Sequence, residues 1–313
     1  MDEIAGLLDG PRAHGAFLLR CVLEPPFAVR IEDEAPLTVV VVTRGATALC
    51  PAGQPGATYP AGPGDVIVVR GPEPYTVTDA GRDAPVQAVI GPDQGCWSPP
   101  GTARPPHELG VRSWGHAPDA ATSMLVGTYP VGGEVGARLV RSLPEVTVLS
   151  PDDLGGASTG PLVGLLDAEL DRDGAGQDVV LDRALDLLLA TVLRAWFAGP
   201  AAPSAARARQ DPAIGAALRA MEAEPGRGWT VAGLARGAGL SRAAFARRFA
   251  DRVGEPPMAW LTDLRLSLAA DLLRGTDLTV ATIADRVGYA SPFALSTAFL
   301  RERGVRPTAL RAM

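Results

Sequence analysis

Thr230-Val-Ala-Gly-Leu-Ala-Arg-Gly-Ala-Gly-Leu-Ser241 and Thr279-Val-Ala-Thr-Ile-Ala-Asp-Arg-Val-Gly-Tyr-Ala-Ser291 are two versions of one pattern. In each, a threonine suited to capping precedes a short helical run. A glycine (Gly239, Gly288) then marks a tight turn, and a serine caps the next helix. The first continues into Phe245 and Phe249 and the second into Leu295 and Phe299, apolar pairs at helical spacing that belong in a core. Between the two, residues 257–274 read as a longer amphipathic helix through Leu261, Leu264, Leu268 and Leu272. Upstream, Asp211-Pro212 has the form of an N-cap followed by proline at the first helical position. Two helix-turn-helix units joined by one stiff helix would set two recognition helices on one face of a duplex, about one helical turn apart.

Charge is distributed in keeping with that reading. The chain has 313 residues and a net charge of -6. Residues 211–313 contain 14 Arg and 10 Asp or Glu, a balance of +4, so the remainder of the chain carries -10. A phosphate backbone responds to the local patch, not to the total. The chain has no Lys and no Asn, and residues 211–313 also lack Gln and His. Adenine therefore cannot be read there by amide pairing, and arginine to guanine is the strong contact left.

The residues from 211 onward resemble the AraC/XylS family of bacterial regulators. The likeness is carried by Trp229-Thr230-Val231, Leu234-Ala235, Ser241-Arg242, Phe249, Gly254-Glu255-Pro256-Pro257-Met258 and Leu261. It continues through Arg265, Ala269, Leu272-Leu273, Ile283-Ala284, Val287-Gly288-Tyr289, Phe299 and Gly304-Val305-Arg306-Pro307. The resemblance implies DNA contact from the outward positions of the two second helices. In unit one these are Arg242, Ala243, Ala246 and Arg247, with Arg248 and Arg252 assigned to phosphates or solvent. In unit two they are Pro292, Phe293, Ser296 and Thr297, joined by Arg301. Unit two departs from the family pattern, which often has Glu or Gln early, Arg at the position of Thr297 and Lys at that of Leu300. Sequence is thus expected to be read mainly by unit one, with unit two docking on the backbone. Phe293 either meets a thymine methyl or lies partly buried against the long helix.

Residues 15–130 have a different texture. Short β-branched runs at 37–42, 65–69 and 86–90 alternate with Gly/Pro clusters, which favours an antiparallel barrel or jelly roll. Gly64-Asp65-Val66-Ile67-Val68-Val69-Arg70-Gly71, Gly110-Val111-Arg112-Ser113-Trp114-Gly115 and Gly127-Thr128-Tyr129 resemble the AraC-binding-type cupin domain, with residues 139–149 as its link to a helical part. Metal catalysis by such a barrel needs two or three His and a carboxylate. Here Tyr75 stands near the place of a usual His, and His14, His107 and His116 do not have the spacing. His107 and His116 read as solvated loop residues. No metal or cofactor is expected, and the chain is not expected to be an enzyme. A small-molecule effector in the barrel is expected instead, with Cys21, Arg30, Arg44, Tyr75 and Trp97 as candidate contacts and Cys96 as the thiol best placed to sense oxidation.

The expected fold class is α+β multidomain, a cupin-like β-barrel with a helical dimerisation segment followed by an all-α tandem helix-turn-helix domain. The expected divisions are residues 1–150 for sensing, 151–198 for dimerisation through the Leu181, Leu185, Leu188, Leu189, Val192, Leu193 and Trp196 stripe, 199–210 as linker and 211–313 for DNA. That stripe serves either the monomer core or the dimer. No run of eighteen apolar residues occurs and the N-terminus lacks the layout of a signal peptide, so a cytoplasmic protein is expected. The expected partners are double-stranded DNA, a small effector, a second copy of the chain and, for an activator, RNA polymerase. A co-regulator reaching DNA through another protein is the rival reading.

Overall fold

A computed structural model of the protein describes residues 17–79, 84–92, 95–129, 133–155, 159–172, 174–199, 202 and 204–311; His14 lies outside them. The chain divides into two units, one holding the strands with residues 140–196 and the other holding residues 133–139 and 197–311.

In the strand-rich unit, valine repetition and Gly/Pro punctuation produce two facing sheets. One is ordered β10 (His107–Gly110), β11 (Ser113–Gly115), β1 (Phe17–Leu23), β12 (Thr122–Tyr129), β3 (Leu37–Arg44), β6 (Val66–Arg70) and β13 (Val146–Leu149). The other is ordered β5 (Tyr59–Ala61), β4 (Thr47–Pro51), β7 (Tyr75–Asp79), β2 (Ala28–Ile31), β8 (Ala88–Ile90) and β9 (Cys96–Trp97). Between β6 and β7 the Gly71–Pro72 peptide is cis. Successive strand residues point to opposite faces, so Leu23, Val29, Val40, Val42, Leu49, Ile67, Val69 and Val77 meet in a core between the sheets. The stretch 139–149, expected as a link, instead contributes β13, which pairs with β6 from Val146↔Val69 to Leu149↔Val66.

β3 is buried along six successive residues, so both of its faces are covered. The outer cover is helical, supplied by α2 (Gly160–Leu170) and α3 (Gln177–Ala198), which follow β13; α1 (Gly133–Ser142) precedes that strand. The Tyr129 hydroxyl donates to the Leu185 carbonyl at 3.0 Å, and a Cβ on Gly127 would lie 3.0 Å from the Leu185 side chain. Arg20 reaches from β1 to Asp167 at 2.9 Å and Asp171 at 2.6 Å. The leucine stripe of α3 is buried within the unit, which settles its first use. Leu165, Val179, Val180 and Leu187 stay exposed.

The helical unit begins earlier than its sequence implied. Within the stretch expected as a linker, Ser204–Gln210 forms α4, and Ala208 is fully buried among Ile214, Leu218 and Phe249. Small alanines let this short helix approach its neighbours closely, and Arg209 pairs with Glu222 on α5 (Pro212–Ala223). The remaining helices are α6 (Val231–Gly237), α7 (Arg242–Val253), α8 (Pro257–Gly275), α9 (Val280–Arg286) and α10 (Pro292–Arg303), closed by a 3₁₀ turn over Pro307–Arg311. α8 separates two cores. Its Trp260, Leu261 and Leu264 pack with Phe245 and Phe249, while its Leu266, Ala269, Ala270 and Leu273 pack with Ile283, Leu295 and Phe299.

Asp211 ties this unit together. Its buried carboxylate accepts from the backbone N–H groups of Ala213 and Ile214 and takes the Arg248 guanidinium from α7 at 2.8 Å. Burial opposes ionisation here, but those N–H donors and Arg248 outweigh it and hold the carboxyl below the usual range. A depressed folded pKa contributes stability that is present above the unfolded value and lost as pH falls through the folded one. Asp211→Ala is therefore expected to destabilise the unit by about 1–3 kcal/mol at pH 7, mostly from the lost cap, with a smaller part from the half-exposed Arg248 pair. Urea titrations at pH 7 and pH 3 check this, because the gap between wild type and variant should narrow at the lower pH.

Candidate DNA-binding surface and effector chamber

The two helix-turn-helix units repeat down to single hydrogen bonds. Thr230 Oγ1 accepts from the Gly233 N–H at 3.0 Å, and Thr279 Oγ1 from that of Thr282 at 3.1 Å. The turns then match. The Gly239 N–H donates to Arg236 O and that of Gly288 to Asp285 O, both at 3.1 Å. The Leu240 N–H donates to Ala235 O and that of Tyr289 to Ala284 O, at 2.9 and 2.8 Å. Both glycines have positive φ, 66° and 82°, the conformation these turns demand. Unit two then spends one extra residue, Ala290, before its cap. Ser241 Oγ accepts from the Ala244 N–H at 3.2 Å, and Ser291 Oγ from that of Ala294 at 3.1 Å.

These caps fix the rotation of α7 and α10, and hence which side chains face outward. Phe245, Phe249, Leu295 and Phe299 are buried, as their spacing implied. On α7, Arg242, Ala243 and Arg247 are exposed and Ala246 is half-buried beside them. Arg248 is held by Asp211, so its guanidinium braces α7 against the cap of α5. On α10, Pro292, Phe293, Thr297, Leu300 and Arg301 are exposed and Ser296 is half-buried, its hydroxyl returned to Pro292 O at 2.8 Å. Phe293 is 82% exposed, which removes the alternative of burial against the long helix. Arg301 is paired with Glu302 at 2.7 Å. The surface of unit one is thus cationic at Arg242 and Arg247, while that of unit two is largely apolar.

A clamp that residue-by-residue sequence reading missed sets the spacing of the units. Arg265 on α8 donates from Nε to Pro225 O and from a terminal nitrogen to Arg227 O, both at 2.8 Å. The held loop lies directly against the turn of unit two. A Cβ on Gly226 would be 2.6 Å from Arg286 O, and one on Gly288 would be 2.7 Å from Gly226 O and 2.8 Å from the Arg265 guanidinium.

In the strand-rich unit a cavity of about 880 Å³ opens between the sheets. Alternate residues line it: Leu19, Cys21 and Leu23 from β1; Val29 and Ile31 from β2; Tyr75 and Val77 from β7; Met124, Val126 and Thr128 from β12. Of the five expected effector contacts, Cys21 and Tyr75 are in this wall. Arg30 falls on the outward phase of β2 and pairs with Glu32. Arg44 donates to Ala120 O at 2.7 Å, and Trp97 is 49% exposed over Gly91. The tryptophan of the chamber is Trp114, opposite Cys21 in the β1–β11 register. Strand alternation carried the signal, since Arg20 and Arg30 alternate with inward Leu19, Cys21, Val29 and Ile31.

Cys96 also lines the chamber. Burial pushes the Cys21 thiol up to about 12 and raises that of Cys96, so both remain protonated at neutral pH. His107 sits exposed at the rim. His116 does not behave as a solvated loop residue. Its Nδ1 accepts from the Glu24 N–H at 2.9 Å and its Nε2 lies 3.2 Å from Arg104 O, joining two loops; burial lowers its pKa. Among the described residues no three His, Cys, Asp or Glu side chains gather as a metal site would require.

A two-sheet barrel joined to paired helix-turn-helix units defines a DNA-binding regulator with a cupin domain. The Cupin family matches residues 2–198 and the Helix-turn-helix domain family matches residues 234–313. A Streptomyces lividans protein described as an AraC-like transcription regulator is 29% identical over 255 residues, 78% of this chain and 76% of its own length. The HTH-type transcriptional regulator MtrA of Neisseria gonorrhoeae is 25% identical over 98% of this chain and 97% of its own. Among solved structures, the DNA-binding domain of AdpA in complex with a target DNA is 35% identical, covering 31% of this chain and 88% of that one with a TM-score of 0.31. The chain belongs to the AraC-type DNA-binding transcription regulators and carries the cupin domain at its N-terminal side.

The clamp makes a direct prediction. Gly288→Ala combines left-handed strain of about 1–2 kcal/mol with a backbone clash, so unit two should shift relative to unit one. Specific DNA affinity is expected to fall by about tenfold or more, while Gly239→Ala, with open space around it, should cost only the strain. Fluorescence-anisotropy binding and thermal melts of both variants separate the two effects.

Proposed function

We propose that this protein is an effector-responsive transcription activator in which unit one reads sequence and unit two anchors the protein to the duplex. Residues 1–150 sense the effector, 151–198 support a homodimer and 211–313 bind two adjacent major-groove segments. The observation that carries the reading is the outward face of α7. There Arg242 and Arg247 are exposed and, among the described residues, have no ion-pair partner. They flank Ala243 and Ala246, which are small enough to let the helix approach base edges. Two unpaired guanidiniums on a serine-capped helix match the bidentate donor geometry that guanine offers in the major groove.

Unit two supports the anchoring role by its chemistry. Its outward residues lack any bidentate donor apart from Arg301, whose Nε–H is engaged by Glu302. Phe293 and Thr297 offer apolar contact to thymine methyl groups. The exposed Leu165, Val179, Val180 and Leu187 on α2 and α3 support the homodimer, which would address two half-sites. The protein acts as a cytoplasmic regulator and not as a catalyst, with RNA polymerase as its partner at the promoter.

A gel-shift with the protein's own upstream region tests the division of labour. Arg247→Ala is expected to lose specific binding by at least about tenfold, the value of one bidentate pair. Thr297→Ala should change it by less than about threefold. Equal losses from the two substitutions would sink the proposal. Binding that appears only in the presence of a second protein would favour the co-regulator instead.

A further inference from the structure

The barrel chamber has a charge character that narrows what it can hold. Its walls are apolar, from Leu19 and Leu23 on β1 across to Val40, Met124 and Val126. Among the described residues the carboxylic acids lining it are Asp33 and Glu108, and the lining contains no arginine. Neighbouring arginines are turned away and paired: Arg20 with Asp167 and Asp171, Arg30 with Glu32, and Arg112 with Asp178. Cys21, Cys96 and Tyr75 stay neutral, because burial raises all three.

Asp33 is the telling group. It follows β2 where the chain turns, half-buried against the wall, and its carboxylate accepts the Ala35 N–H at 3.1 Å. Burial still raises its pKa, so that turn does not replace the water it has lost. Such a carboxyl either takes up a proton or gains a cationic partner, and a cation bound beside it favours the ionised form. The indole of Trp114 and the ring of Tyr75 line the same space, and aromatic rings are groups beside which an organic cation is stabilised. Glu108, exposed at the rim, adds a second negative charge along the way in.

We infer that the chamber takes an organic ammonium, a protonated amine on an aromatic or branched apolar body, with Asp33 as its counter-ion. The inference rests on the reading of the barrel as the effector site. The volume of about 880 Å³ suits a body of two fused rings or larger. An organic anion of the same shape would meet two carboxylates and, among the described residues of the lining, the His107 imidazole but no arginine.

Three probes with one body and different heads test this on the full-length protein: 2-(1-naphthyl)ethylamine, 2-(1-naphthyl)ethanol and 1-naphthylacetate, followed by calorimetry. The amine is expected to bind about tenfold or more tighter than the alcohol, the range of a hydrogen bond to a charged group, and the carboxylate weakest. In Asp33→Asn, which retains the oxygen that caps Ala35, the amine should fall to within about threefold of the alcohol while alcohol binding is unchanged. Glu108→Gln, at an exposed position that the fold does not depend on, should weaken the amine alone and by less. A carboxylate that binds as well as the amine, or an amine preference that survives Asp33→Asn, overturns the inference and leaves the effector reading intact. Binding of none of the three overturns both.

Discussion

The helical unit depends on a contact between backbones. The loop at 225–227, gripped by Arg265 from the long helix, lies against the turn of the second helix-turn-helix unit where neither Gly226 nor Gly288 can carry a side chain. Each unit has its own serine cap and its own core, and both cores are built against the same long helix. Their separation is a different matter, since the proposed use of both recognition helices requires them to match the repeat of the duplex. A shared rigid helix sets the distance coarsely. The arginine and the two glycines remove the remaining freedom, so the helices are presented to DNA with little left to order.

Much of this architecture was legible before any coordinates. Capping residues, turn glycines and the phenylalanine pairs announce helix ends and core faces through short-range chemistry, and the observed bonds at Thr230, Ser241, Thr279 and Ser291 follow. What could not be read was anything set by long-range contact. α4 lacks an apolar stripe because its neighbours need only alanine-sized surface, so it passed for a linker. Arg248 looks like any exposed arginine on a recognition helix until Asp211, 37 positions away, is found beneath it.

The chamber shows the same division. Its wall obeys the period of two along each strand, and that rule alone separates Cys21 from Arg20 and Ile31 from Arg30. Residue type does not carry this period, and Arg30 and Arg44, expected among the effector contacts, lie outside the lining. Trp114 and Asp33 escaped notice for another reason. One enters the cavity through a parallel strand pairing and the other from a loop, and neither placement is written in local sequence.

The exposed phenylalanine on α10 matters most when no DNA is present. With Phe293 82% exposed and Leu300, two turns on along the same face of α10, at 49%, the second unit presents an oily strip to water, and Val305 beyond the helix is 41% exposed. Net charge keeps molecules apart at long range but does little to stop such strips from adhering on contact. Self-association of the unbound protein is therefore expected to follow this strip more than the overall acidity, and under the proposed anchoring role a bound duplex would also shield it from other copies.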